Sequence, residues 1–362
     1  MTDEISIPAL AYEPKAYFPN RPSEELVLEI KGFIQRTGTP YLWPGHTHSK
    51  PPANSTIVYV AEFDLPPSHR AEDRWAPCPC CSPTHPKYYK DGKIAWFPDE
   101  SVIRIMGPQC FAKINATGHS EALDQFRKEE RRKNDIAYIL ANVGVIREAI
   151  SAIEHALPIA EAVDTVRRIL RERIDLVLQT SPGIWEHMRD GTLKVTEKRT
   201  EHRRLTNGEE LTREVELTVP YGPLAGYTML HPGGKFTGQP LKYGLAGLKS
   251  LEQAGVANMD IKELSDDERR KIARILERSI KKANEAFKGI EEVRPFLSAV
   301  AIATLSGWGR HKGCPIAIYI SMEGNNLLLG RTPHEHQRLQ VPKEFFGVLR
   351  PLPRLGQTNV AA

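Results

Sequence analysis

The chain has 362 residues, of which 40% are hydrophobic and 26% charged, with a formal net charge of +4. This is the composition of a globular protein with room for roughly two or three domains, and it excludes a disordered polyelectrolyte. No apolar run approaches the roughly 20 residues of a bilayer span, so no membrane partner is expected.

The opening stretch MTDEISIPALAYEPK carries acidic residues and lacks a basic segment followed by a long apolar one. It does not read as a secretory signal, and the cytoplasm is the expected location. Residues 1–70 read as an irregular region containing one helix and one strand. Ser23 is the expected N-cap, followed by Glu24 and Glu25 in the first helical turn. STIVYVAEFDL is rich in β-favouring residues and flanked by prolines, which predicts a strand.

Residues 71–119 hold four of the five cysteines. Within this module YYKDGKIAWF has strand-forming residues on both sides of Asp91-Gly92, which predicts a two-residue hairpin turn there. SVIRIM predicts a further strand. Residues 120–190 have a helical period. Ile136, Ile139, Leu140, Val143, Ile146, Ile150 and Ile153 recur at three- and four-residue steps, and Val163, Val166, Ile169, Leu170, Ile174 and Val177 follow. Pro158 is the expected break between two long helices, which would form a helical hairpin or a kinked rod.

Residues 191–260 are expected to form a charged β-hairpin around Asn207-Gly208, then glycine- and proline-rich loops. Residues 261–352 read as a C-terminal α/β unit. Ser265 and Glu268 predict a capping box, PFLSAVAIATLSGWG a buried helix, and CPIAIYISM, NNLLLG and RLQVP three closing strands. Residues 353–362 read as a tail.

The chemistry concentrates in the cysteines. An odd number of thiols, crowded into one segment, argues against a disulfide framework. Cys78 and Cys81 have the spacing with which two thiolates reach one ion from a tight turn, and Cys110 follows Gly107-Pro108 at an apparent helix start. The order of a CxxC pair, a hairpin and a helix-start cysteine resembles a treble-clef zinc finger over residues 78–119. MGPQC is similar to the Gly-Pro-x-Cys element of small bacterial and phage zinc knuckles. The resemblance implies a bound zinc ion and a structural role for it. A treble clef places its last ligand three residues after the helix-start cysteine, and here that residue is Lys113. His119 is the first choice for the fourth ligand, with His85 and Cys80 as alternatives. A redox dithiol is a weaker reading, because no thioredoxin-like βαβ pattern surrounds the pair.

Two His-x-His pairs, His46/His48 and His334/His336, have a spacing seen in metal enzymes, yet proline-bounded or polar surroundings favour loops. Arg310, His311 and Lys312 lie between glycines and are candidate anion contacts. Lys194, Lys198, His202 and Arg204 would share one face of the charged hairpin and are candidate nucleic-acid contacts, with Glu209, Glu210, Glu214 and Glu216 opposite them. Cys314 is expected to pack as a small apolar residue.

The sequence thus predicts an α+β protein with an embedded zinc knuckle, a long helical hairpin, a charged β-hairpin and a C-terminal α/β unit. The functional expectation is a zinc-stabilised protein acting through interaction, with nucleic acid as a candidate partner. Two alternatives stand beside it. One is a metal-dependent enzyme using an open Cys/His site or a His-x-His pair. The other is a structural protomer that meets a protein partner or its own copies through the long helices. No reaction is named by the sequence.

Overall fold

The computed structural model describes residues 5, 7, 9–13, 17–81, 87–204 and 210–354, the side chains of residues 203, 204, 210 and 211 excepted. The fold is mixed α and β, with long helices and small antiparallel sheets. The described residues up to Asp135 form one compact unit and those from Ile136 onward a second.

In the first unit, α1 (Glu24–Thr37) starts where expected, with the Ser23 side chain accepting from the Leu26 amide. Its inner face buries Ile30 and Ile34. β1 (Val58–Asp64) is followed by a short helix α2 (Pro67–Ala71), the two-residue strands β2 (Ala76–Pro77) and β3 (Tyr88–Tyr89), then β4 (Asp91–Phe97) and β5 (Val102–Met106). The sheet order is β1-β4-β5, all antiparallel, with β2 pairing β3 separately. Every residue of β5 is buried, which fits a β-branched run with little polar alternation. Its one charged member, Arg104, is fully buried and donates to the Glu100 carboxylate at 2.8 and 2.9 Å.

The turn expected at Asp91-Gly92 does not exist. Both residues lie inside β4, opposite Asp64 and Phe63 of β1. A Cβ at Gly92 would come within 2.7 Å of the Met106 carbonyl oxygen and of Phe63 Cζ. The glycine is there for room between strands, not for a positive φ.

α3 (Ala116–Val143) begins in the first unit and ends in the second. α4 (Ile146–Leu178) passes through Pro158 without a break, contrary to expectation. Pro158 and Glu154 are both exposed, on the side of the helix where water can satisfy a carbonyl that loses its helical partner. The interruption falls instead at Gly144-Val145, between α3 and α4. After α5 (Ile184–Met188) come β6 (Thr192–Arg204) and β7 (Glu210–Pro223), which pair antiparallel along their length as predicted. The Asn207-Gly208 turn and Glu209 lie outside the described residues.

The loops expected over 220–258 contain a full helix, α6 (Gly238–Gln253). Its glycines and proline suit a particular packing. Pro240 sits in the first turn, where no helical amide bond is lost. A Cβ at Gly244 would stand 2.8 Å from the Ser279 carbonyl oxygen, and one at Gly247 would collide with Ser279 Oγ. Ser279 belongs to α7 (Asp266–Val293), which opens on the predicted Ser265–Glu268 capping box. α4 packs on α6 and α7, so the helical layer of this unit is built from these three. α8 (Ala299–Arg310) and the sheet β10-β9-β8, made of β8 (Tyr319–Glu323), β9 (Asn326–Gly330) and β10 (His336–Gln340), complete it in the expected order.

Candidate metal centre

Two short backbone turns deliver the thiols. Cys78 leaves β2 with its amide bonded to the Lys87 carbonyl at 2.9 Å, and the Cys81 amide returns to the Cys78 carbonyl at 3.2 Å. This closes the CxxC turn. β5 ends at Met106, and the Cys110 amide bonds to the Gly107 carbonyl at 3.3 Å, closing the Gly-Pro-x-Cys turn. Gly107 serves twice: its amide points at Cys78 Sγ at 3.4 Å, and a Cβ there would lie 2.8 Å from Cys110 Sγ. The result is one group, Cys78, Cys81 and Cys110, with all three Sγ atoms within 4.8 Å of one another. Around a tetrahedral ion with metal–sulfur bonds near 2.3 Å, sulfurs stand about 3.8 Å apart, so small side-chain adjustments suffice. These cysteines can hold a metal ion.

Electrostatics argue the same way. A bond from Cys110 pulls the Cys78 thiol down, but Cys80 and burial push it further up, and it ends well above the ordinary thiol range. Cys110 is also pushed up, by its bond to Cys78 and by burial. Packed thiols cannot all ionise alone, whereas a divalent cation makes thiolates the stable form.

Cys110 was expected to open a helix. It opens a single 3-10 turn, Phe111–Lys113, and α3 begins only at Ala116. The Asn115 side chain accepts from the Gly118 amide at 2.9 Å and starts the helix afresh. His119 lies in that first α3 turn. Its Nδ1 meets the Tyr59 hydroxyl at 2.6 Å, and it does not join the three-thiol group. Tyr59 itself lies within electrostatic reach of Cys80 and Cys110. Cys80 is buried, with its thiol against Met106 Sδ at 3.5 Å. His85 lies outside the described residues.

Comparison with protein-family models, with curated proteins and with solved structures finds no match for this chain. Its site must be read from its own residues. Among the described residues, no single helix is long and apolar enough to cross a membrane.

The other candidate residues take definite places. His46 and His48 lie in a loop, as expected, yet both are buried. The Ile105 amide donates to His46 Nδ1 at 3.1 Å, which leaves the His46 proton on Nε2, and Nε2 donates to His48 Nδ1 at 2.9 Å. The pair is a strap held on β5, reinforced by Arg104 reaching the Ser49 carbonyl at 2.8 Å. Nothing in residue spacing signals this; the Arg104–Glu100 separation of four is the faint clue. His336 starts the exposed strand β10, and its Nδ1 bonds to the Pro333 carbonyl at 2.9 Å.

On the β6–β7 arm, Lys198 stands opposite Glu216 and His202 opposite Thr212, while Lys194 bonds to Asp190 at 2.6 Å. The basic face is thus interleaved with acids. The side chain of Arg204 lies outside the described residues. Arg310 ends α8, and in the turn that follows, the amides of His311, Gly313 and Cys314 are bonded to the Trp308 carbonyl, His311 Nδ1 and the His311 carbonyl. A Cβ at Gly313 would collide with the Thr196 carbonyl oxygen. The Thr196 amide donates to the Gly313 carbonyl at 2.8 Å and seats this turn on the arm, leaving Arg310 and Lys312 to act as side-chain charges. Cys314 is half-buried, with its thiol directed at the Ile316 carbonyl at 3.0 Å.

Proposed function

We infer that Cys78, Cys81 and Cys110 bind a zinc ion that fixes the first unit, and that the protein acts by binding nucleic acid rather than by catalysis. The observation that carries this reading is the convergence of three thiols from two separate turns, with Cys78 buried. A sulfur-rich, carboxylate-free donor set suits zinc. The fourth ligand falls to His119, after its ring leaves Tyr59, or to Cys80 or His85.

Zinc would hold the turn from which α3 emerges. Midway along α3, Arg127, Lys128 and Arg131 carry positive charge at the surface. Of the neighbouring acids, Glu129 pairs with Arg21 and Glu130 lies 4.0 Å from Lys133, while Asp124 is exposed one turn before Arg127 and Lys128. Cations still outnumber free acids along this stretch, which suits phosphate. The enzyme reading has less support, because His46 and His48 bond to each other inside the unit.

Elemental mass spectrometry on protein purified without added metal tests the reading, with Cys78→Ser and Cys110→Ser alongside. One zinc per chain, lost in both variants, is the expected result. Metal-free wild-type protein with an intact fold would overturn it.

A further inference from the structure

Between α6 and α7 in the second unit lies an open groove of about 480 Å³. Its floor is formed where Gly247 lets α6 approach Ser279. One wall is a line of cations on α7: Arg270, Lys271, Arg274 and Arg278 all line the groove, against the single carboxylate of Asp267. Tyr243 of α6, 53% exposed, forms the opposite rim.

These cations are not neutralised by their own helix. Among the described residues, the ion pairs within α7 are Arg269–Asp266 and Lys282–Glu285, and neither uses a groove residue. Arg270 Nε is buried with no hydrogen-bond partner. The line also works against the helix that carries it. Arg270, Arg274 and Arg278 recur at four-residue steps, so like charges meet along one face. The acids that suit the helix dipole, Asp266, Asp267 and Glu268, fill the first turn, and the arginines follow beyond it. A bound anion would relieve this repulsion.

We propose that the α6–α7 groove binds single-stranded nucleic acid, with phosphates along Arg270, Arg274 and Arg278 and a base stacked on Tyr243. Four-residue steps on a helix advance about 6 Å, so the three arginines present an extended row that suits a repeating anion better than an isolated phosphate. A cationic track rimmed by an exposed aromatic ring is the arrangement by which proteins hold single strands without reading sequence. A membrane surface would instead need a broad apolar face beside the charges, and a single tyrosine does not provide one. The inference rests on the nucleic-acid reading above for the partner and adds the site.

The test is fluorescence anisotropy of a labelled single-stranded oligonucleotide with the full chain, across a salt series. Variants are R274E/R278E in the groove, Tyr243→Ala on its rim, R127E/R131E on α3 and K194E/K198E on the arm. Circular dichroism checks that each variant keeps its fold. R274E/R278E is expected to weaken binding at least tenfold and to reduce the salt slope by ~0.7 for each phosphate no longer neutralised. Tyr243→Ala is expected to weaken binding roughly tenfold, the size of one base-stacking interaction, with little change in slope.

Unchanged binding in R274E/R278E would overturn the groove. If R127E/R131E or K194E/K198E alone abolishes binding, the groove falls while the nucleic-acid reading stands. If no oligonucleotide binds at low salt, both fall, and the metal content decides the zinc reading separately. Preference for duplex over single strand, or for vesicles of anionic lipid through these same residues, would also overturn the proposal.

Discussion

The two units solve the problem of a stable core differently. The second surrounds long helices with a large apolar cluster drawn from α4, α6, α7, α8 and the terminal sheet. The first has a smaller cluster on a three-stranded sheet; both bury polar groups, among them Arg104, His46, His48 and Lys93 in the first and Asn142, Arg167 and Arg269 in the second. Small cores gain most from a metal, because the ion's binding free energy becomes folding free energy. Metal loss and acid should therefore act on the first unit, and helix-packing and capping defects on the second.

The largest effect should come from Cys78→Ser. We expect it to release the metal and destabilise the first unit by ~4 kcal/mol or more, with the helical signal of α4, α6 and α7 retained. Thermal melts followed by near-ultraviolet and far-ultraviolet circular dichroism separate the two. A single unchanged transition would count against the division of labour.

Acid should come next. Burial pushes His48 down to about 4 from an ordinary value of 6.5. The unfolded chain therefore takes up a proton below about pH 6.5 that the folded ring refuses. The stability contributed by the neutral ring is complete above pH 6.5 and falls away as pH drops toward 4, by roughly 3 kcal/mol in all. Urea melts of wild type and His48→Gln over that range check it. Acid also discharges the cysteine site, so the informative quantity is the difference between the two slopes, and parallel slopes would sink the idea.

Gly244→Ala should cost the second unit about 1–3 kcal/mol, since its methyl group meets a backbone oxygen that cannot rotate away. Chemical denaturation measures this, and a neutral result would mean that α6 slides on α7 more freely than the close approach implies. The smallest effect is Ser265→Ala, expected at about 1 kcal/mol through loss of the capping box. Hydrogen exchange at the Glu268 amide should speed up first, and an unchanged rate would show that the cap does not hold this helix end.

What was legible in the sequence was what local chemistry decides. Ser23 and Ser265 marked helix starts because a side-chain oxygen finds an amide three residues on. The cysteine spacing was legible because ligand geometry restricts which residues reach one ion. What misled was residue type read without its neighbours. Gly92 and Gly244 looked like flexibility and turned out to be clearance, set by Met106 and by Ser279, residues remote in sequence. Pro158 looked like a break, but it lies on the exposed side of α4, where water can take the place of the lost helical bond. The fourth ligand stayed open for the same reason, since it depends on where α3 begins after Cys110. The α7 cations carried a readable four-residue step, but only the approach of α6 turns that step into a groove.

The start of α6 has one more consequence. Thr237 makes no side-chain cap of its own; the first amides of the helix are held by Asp164 of α4, which accepts from Thr237 N at 2.8 Å and Gly238 N at 2.7 Å, the first of these across a gap of 73 residues in sequence. Local sequence does not nucleate this helix, which also carries internal glycines and is hard to start alone. α6 therefore depends on α4 for its first hydrogen bonds, and an excised peptide spanning 236–254 should stay largely unstructured in water. The start of this helix is tied to another one by a single carboxylate.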